Sequence, residues 1–146
     1  MHLIVLRHGQ RVGDRLTRAG EIMSLEAGSW LAGEGLRPAR VVTSTKVRTM
    51  ATARLALEAF PDLGPLDWRV EATPRSNATW LAALERMAEG AGGDVLAVVH
   101  GTAQRFVETH HGGAAFGVPS DNRAAAFILV RESDGAWRCN RAWAGR

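Results

Sequence analysis

Leu3-Ile4-Val5-Leu6-Arg7-His8-Gly9 is the stretch on which the reading of this chain turns. Four consecutive apolar residues fit a short strand covered on both faces, as strands of a parallel sheet are. Such a strand delivers Arg7, His8 and Gly9 to its C-terminal end. The pattern returns in Val95-Leu96-Ala97-Val98-Val99-His100-Gly101. Two buried strands that each end in His-Gly would bring two imidazoles to one edge of one sheet.

Between these strands the chain alternates. Residues 10–15 read as a polar loop. Thr17 is placed to cap a helix, with Glu21 in its first turn to complement the dipole. Met23, Ala27, Trp30 and Leu31 recur at helical spacing. Gly33 and Gly35 end that helix, and Pro38 lies just beyond. Val41-Val42-Thr43 is a second strand, after which Ser44 and Thr45 are positioned to cap a helix carrying Met50, Ala53, Leu57 and Phe60. A weaker strand covers 66–70. Ser76 or Asn77 caps the next helix, whose apolar face is Leu81, Leu84 and Ala88. After residues 95–99 a helix starts beyond Gly101, with Ala103, Phe106, Val107 and His110 on its stripe. Residues 112–122 read as loop. Residues 126–130 and 137–143 form a hairpin turned at Asp134-Gly135, with Trp137, Cys139, Arg141 and Trp143 sharing one face.

The order β-α-β-α-β-α-β-α-β-β implies one α/β domain over 1–146. It would be a three-layer α/β/α sandwich, with a mostly parallel sheet, right-handed crossovers and a C-terminal hairpin.

Bulk properties narrow the function classes. With 46% hydrophobic residues and one cysteine, Cys139, the chain can build a core without an intramolecular disulfide. No charged-then-apolar leader follows Met1 and no apolar run is long enough to span a membrane. A soluble, cytoplasmic protein with no membrane partner is expected. The net charge is +3, and of the 18 basic residues Lys46 is the single lysine. The arginines are scattered and never occur three in a row, so nucleic acid is not the expected partner. The basic balance suits a small anionic substrate. His110-His111 has no acidic or cysteine partner at ligand spacing, so no metal site is expected.

Ligands of open α/β sheets bind outside the carboxyl ends of the strands. Three predicted ends carry suitable groups: Arg7, His8 and Gly9; Ser44, Thr45 and, one turn on, Arg48; and His100, Gly101 and Thr102. Phosphoryl transfer needs a nucleophile, and a neutral imidazole serves at pH 7. It needs fixed positive charge on the non-bridging oxygens, which arginine supplies as a planar fork of donors. Backbone N–H groups at a helix start add to this. Arg7, His8, Arg48 and His100 meet these needs without metal or cofactor. Gly9, Gln10, Gly101 and Thr102 are the expected substrate-binding neighbours. Any one of these residues alone would read as an ordinary boundary or helix residue. Their joint placement at three strand ends is what carries the reading.

At this point the chain resembles the histidine phosphatase superfamily, the group that includes phosphoglycerate mutases and acid phosphatases. Leu6-Arg7-His8-Gly9 matches its nucleophile signature. Leu16-Thr17-Arg18-Ala19-Gly20 is similar to its Leu-Thr-x-x-Gly helix opening. Residues 43–53 resemble its Ser-Pro-x-x-Arg-Ala-x-Gln-Thr-Ala segment, and Val98-Val99-His100-Gly101 its second histidine. The resemblance implies a phosphoglycerate mutase-like fold, a phosphohistidine intermediate on His8, and phosphoryl binding by Arg7, Arg48 and His100.

The chain departs from the pattern in places. Thr45 stands where the family has proline, and Met50-Ala51 differ from its helix. Asp14 falls where the mutases carry an asparagine that helps hold phosphate; an acidic group there is a poor phosphate ligand. No mutase-like acid motif is present, and Glu71, after the third strand, is the candidate general acid. About a dozen residues separate Trp68 from Trp80, where mutases carry a longer insertion over the site. The short connection resembles the small SixA-type branch, which is associated with protein phosphohistidine. The implied substrate is a phosphomonoester or a protein phosphohistidine. Alternative readings are a catalytically weak phosphate- or phosphoprotein-binding module and, third, a phosphoglycerate mutase.

Overall fold

A computed structural model describes residues 1–119 and 122–145. The expected 112–122 loop therefore includes two positions, Ser120 and Asp121, outside the described residues. In chain order the elements are β1 (His2–Arg7), β2 (Arg11–Val12), β3 (Arg15–Leu16), α1 (Arg18–Gly33), β4 (Pro38–Thr43), α2 (Val47–Leu57), β5 (Asp67–Val70), α3 (Asn77–Ala88), β6 (Asp94–Val99), α4 (Gly101–His110), a 3-10 turn (Gly113–Phe116), β7 (Ala126–Arg131) and β8 (Trp137–Trp143).

The main sheet has six strands in the order β5-β4-β6-β1-β7-β8. β5, β4, β6 and β1 run parallel, and β7 and β8 complete the sheet by antiparallel pairing. Side chains alternate across it. Ile4, Leu6, Leu96 and Val98 pack with Ala27 and Leu31 of α1 and Ala53 and Ala56 of α2. Leu3, Val5, Val95 and Ala97 pack on the other face with Trp80 and Leu84 of α3 and Ala103 and Val107 of α4. This is the expected α/β/α sandwich. Handedness explains the layering. From β1 the chain steps outward to β4 and β5, then back to β6. A right-handed crossover puts the outward helices on one face and the returning helix on the other.

Several local expectations hold. Thr17 caps α1 by accepting from Gly20 N, Ser76 closes a capping box on α3, and Gly135 turns the last hairpin with φ +88°. Others are corrected. Residues 10–15 are a small antiparallel hairpin, β2–β3, and not only a loop. Pro38 begins β4, whose N-terminal end has a register irregularity between Pro38 and Arg40, a place where a missing N–H costs no ladder bond. Neither Ser44 nor Thr45 caps α2. Its N-cap is Lys46, whose side chain makes no capping bond.

The shared face of β8 is also corrected. Ile128 pairs with Arg141 but the next residue, Leu129, pairs with Cys139, so the register slips at Asn140. One extra residue inverts the alternation. Trp137 and Cys139 join the α3/α4 side. Trp143 instead stacks on Trp30 of α1, ring centroids 6.1 Å apart, and Arg141 bonds the Glu34 carbonyl at the end of that helix.

No helix among the described residues is long and apolar enough to cross a membrane.

Candidate active site

β4, β6 and β1 are neighbours and parallel, so their C-terminal ends open on one edge. Arg7 is in register with Val99, and His8 N donates to the Val99 carbonyl at 3.0 Å. The two His-Gly ends therefore lie side by side. The His8 and His100 rings meet edge-on with centroids 5.2 Å apart.

His8 is buried. Its Nδ1 lies 2.9 Å from the Gly9 carbonyl. A carbonyl only accepts, so Nδ1 carries the proton and Nε2 of the neutral ring carries the lone pair. Burial drives the His8 pKa down to about 4, against the opposing Gly9 carbonyl bond. The charges of His100, Arg48 and Arg123 push the same way. The imidazole is therefore neutral at pH 7. Gly9 is fully engaged: its N–H donates to Thr52 Oγ1 at 3.1 Å, and Thr52 Oγ1 in turn donates to the Arg48 carbonyl. The loop after His8 is thereby tied to α2.

Close backbone packing fixes that loop from the other side. A Cβ on Gly9 would lie 2.5 Å from the Gly20 carbonyl oxygen, and one on Gly20 would lie 2.1 Å from the Gln10 carbonyl oxygen. Only glycine permits the first turn of α1 to press on the chain leaving His8. The Gln10 side chain, exposed, accepts from Thr17 Oγ1 at 3.0 Å.

Arg7 Nη1 donates to Gln104 Oε1 at 3.2 Å. Its guanidinium lies over the start of α4, where a Cβ on Gly101 would come within 2.9 Å of Nη2. Glycine at 101 gives the arginine room, and Thr102 follows it in the first turn of α4. Arg48, in the first turn of α2, is mostly buried and pairs with Asp14. Its Nε is buried with no hydrogen-bond partner among the described residues, which makes it a donor in need of an acceptor.

His100 is the N-cap residue of α4. Its Nε2 is 2.9 Å from Ser44 Oγ, which also meets Thr49 Oγ1 and accepts from Lys46 N. Burial lowers its pKa, and the charges of Arg48, Lys46 and Arg11 add to that. Lys46 and Arg11 thus extend the positive field of the mouth, and Arg123 does so beside His8.

Glu71 does not stand with the two imidazoles in direct contact. It follows β5, and its Oε1 accepts from Arg86 Nε of α3 at 2.9 Å. It borders a small apolar cavity, floored by Trp80 and Met87, that His100 and Ser44 also line. His111, half of the His-His pair, is buried between α3 and β8. Its Nδ1 bonds the Trp137 carbonyl and its Nε2 accepts from Trp80 Nε1, each at 2.9 Å. It is a packing residue. A broad depression around Met1, His2 and Trp137 lies at the opposite ends of the strands.

Sequence reasoning placed Ser44 at this edge but not its bond to His100, and it missed Thr52 on Gly9, Gln104 on Arg7, and Arg123. Arg123 precedes Ala124, which has φ +56° and is buried. Its N–H donates to the His8 carbonyl at 3.2 Å. A left-handed alanine beside the buried His8 is the kind of outlier that functional sites hold, and nothing in its identity signals it.

Compared with solved structures, the chain superposes along nearly its whole length on the SixA protein of Agrobacterium tumefaciens, with a TM-score of 0.74 and 20% identity, over 98% of this chain and 97% of that one. This is the histidine phosphatase fold. The same fold is seen in a protein histidine phosphatase SixA complexed with tungstate, with a TM-score of 0.68, 20% identity and coverage of 97% and 96%. Mycobacterial glucosyl-3-phosphoglycerate phosphatase shares it at 0.61, with 20% identity over 95% and 96% of the chains. No protein-family model and no curated protein matches the chain. Within the histidine phosphatase fold, the edge that carries Arg7, His8, Arg48 and His100 is the carboxyl edge of the parallel strands.

Proposed function

We propose that this protein is a metal-independent phosphatase that works through a phosphohistidine on His8. One observation carries the reading. The Nδ1–H bond to the Gly9 carbonyl leaves the lone pair of a neutral His8 on Nε2, among the guanidinium groups of Arg7 and Arg48 and the ring of His100.

In the first step the Nε2 lone pair attacks phosphorus. The N–P bond forms as the bond to the leaving oxygen or nitrogen breaks, and the leaving group takes a proton from water. In the second step water attacks phosphorus and gives its proton up to solvent, the N–P bond breaks, phosphate leaves, and the lone pair returns to Nε2. Arg7 and Arg48 bind the non-bridging oxygens, and the orphan Arg48 Nε–H gains its acceptor there. The start of α4 and His100 add donors on the same side. The charge is carried by fixed guanidinium groups, so neither a metal nor a cofactor is invoked.

The substrate class is a phosphomonoester or a protein phosphohistidine, and a cytoplasmic location belongs to the same proposal. Two considerations favour the phosphoramidate. The link between β5 and α3 is short, leaving the mouth open to a folded partner. The candidate acid, Glu71, is engaged with Arg86, and a phosphorylated imidazole leaves with less help from an acid than an alkoxide does. Solved neighbours include both a protein histidine phosphatase and a phosphatase acting on glucosyl-3-phosphoglycerate.

The His8→Ala variant is the test. It should fold as the parent does and release no phosphate from an aryl phosphate or from a phosphohistidine peptide. Turnover equal to the parent's would reject the mechanism. The Glu71–Arg86 pair also favours a second reading, a phosphate-binding module of little activity. That reading requires Arg48-dependent orthophosphate binding with no turnover across a broad substrate panel.

A further inference from the structure

The geometry points to Asp14 as the residue that positions Arg48 for the phosphoryl group. The inference rests on the phosphatase reading of the site and extends it to the β2–β3 hairpin. α2 begins without a side-chain cap of its own, since Lys46 supplies none. Asp14, from the turn of the hairpin, fills that role from a distance. Its Oδ2 accepts from Val47 N at 3.0 Å, and its Oδ1 accepts from Arg48 Nη1 at 2.8 Å and, more loosely, from Arg48 N at 3.4 Å. One carboxylate therefore holds both the backbone and the guanidinium of the same arginine.

That double hold has a directional result. A guanidinium is a rigid planar fork. Pinning Nη1 to Asp14 turns the other edge away from the hairpin and leaves Nε buried without a partner among the described residues. The donors left over are the ones a phosphoryl oxygen at His8 Nε2 would use. Asp14 is itself partly exposed, 43% by side chain, so the pair adds little to global stability. Its effect is orientation. The carboxylate that makes a poor phosphate ligand thus serves the phosphate through Arg48.

The test separates positioning from capping. Asp14→Ala should lower kcat by about tenfold or more, the scale of one charge-assisted hydrogen bond, with a smaller rise in KM. It should also lower the melting temperature. Adding Lys46→Ser supplies a local N-cap and should restore the melting temperature while kcat stays low relative to Lys46→Ser alone, the reference needed because Lys46 contributes to the field on His100. In an Arg48→Ala background, Asp14→Ala should change kcat by less than about twofold, because the two act as a unit. Recovery of kcat together with melting temperature, or an undiminished effect without Arg48, overturns the inference. Asp14→Asn, which keeps an acceptor for the helix and loses the charge, serves if the alanine variant does not fold. Orthophosphate affinity by calorimetry is measured on the same set. Weakening by Arg48→Ala that Asp14→Ala does not reproduce overturns the role of Asp14 alone. A parent protein that neither turns over phosphate esters nor binds orthophosphate overturns the phosphatase reading and this inference with it.

Discussion

His8 shows how much chemistry one hydrogen bond can decide. An isolated imidazole is half protonated near pH 6.5. Buried and surrounded by positive charge, His8 stays neutral until about pH 4. The acid limb of kcat/KM should therefore fall near that lower value. The measurement is a pH–rate profile, corrected for the substrate's own second phosphate ionisation near about 6. A limb at 6.5 that persists after the correction would contradict the burial argument. Arg48 makes a second prediction at this scale. Arg48→Lys keeps the charge but loses the fork, and kcat should drop about tenfold to a hundredfold, as for one lost transition-state donor. Cys139 behaves oppositely. Burial raises its thiol to about 11, so it should resist iodoacetamide at pH 8 until the protein unfolds.

At the scale of elements, the contact between α1 and the loop after His8 is the tightest constraint on the site. Gly20→Ala would set a methyl group 2.1 Å from the Gln10 carbonyl oxygen. Backbone has to move, so urea denaturation should show a loss of about 1–3 kcal/mol, and kcat should fall because the displaced chain begins at His8. Arg40 offers a control away from the chemistry. It is buried on β4 and bonds Asp67 Oδ2 and the Met87 and Glu89 carbonyls. Arg40→Ala strands the buried Met87 carbonyl and should cost about 1–3 kcal/mol, leaving the site's own groups in place.

These elements also mark what a linear reading reaches. The strands at 3–6 and 95–99, the Thr17 cap and the Gly135 turn were legible because each depends on neighbours within a few residues. The β2–β3 hairpin was not, since two-residue strands leave no periodic trace. Asp14 was legible as an oddity but not as a helix cap, because its partners are 33 residues away. The bulge at Asn140 was invisible because alternation looks the same until a partner strand imposes its register. Glu71 is legible as a carboxylate at a strand end, but its bond to Arg86 is not, because that partner comes from α3, 15 residues on.

Across the whole molecule, three histidines are held neutral. His8, His100 and His111 all have pKa values lowered mainly by burial. In the unfolded chain each takes a proton near pH 6.5, whereas the folded form resists doing so. Between those values the unfolded state binds more protons, so stability rises with pH there. It should be complete above about 6.5 and decline as the pH falls below it, the His8 part continuing to about 4. Melting temperatures across that window measure it. In His111→Asn the slope should be shallower, though the variant starts from a lower plateau because the Trp80 bond is disturbed.

The pairing of β1 carries a consequence for how the protein comes into being. β1 pairs with β6 and β7, from Leu3 with Val95 to Leu6 with Ala126, and with no strand made in between. A ribosome that has released the first ninety residues has already delivered Arg7, His8, Asp14 and Arg48, yet β1 has no neighbour to pair with. His8 is among the first residues synthesised and among the last to be placed. Any truncation before β6 yields a chain holding most of the reactive groups and none of their geometry, and such a fragment should be catalytically silent and exposed to proteolysis.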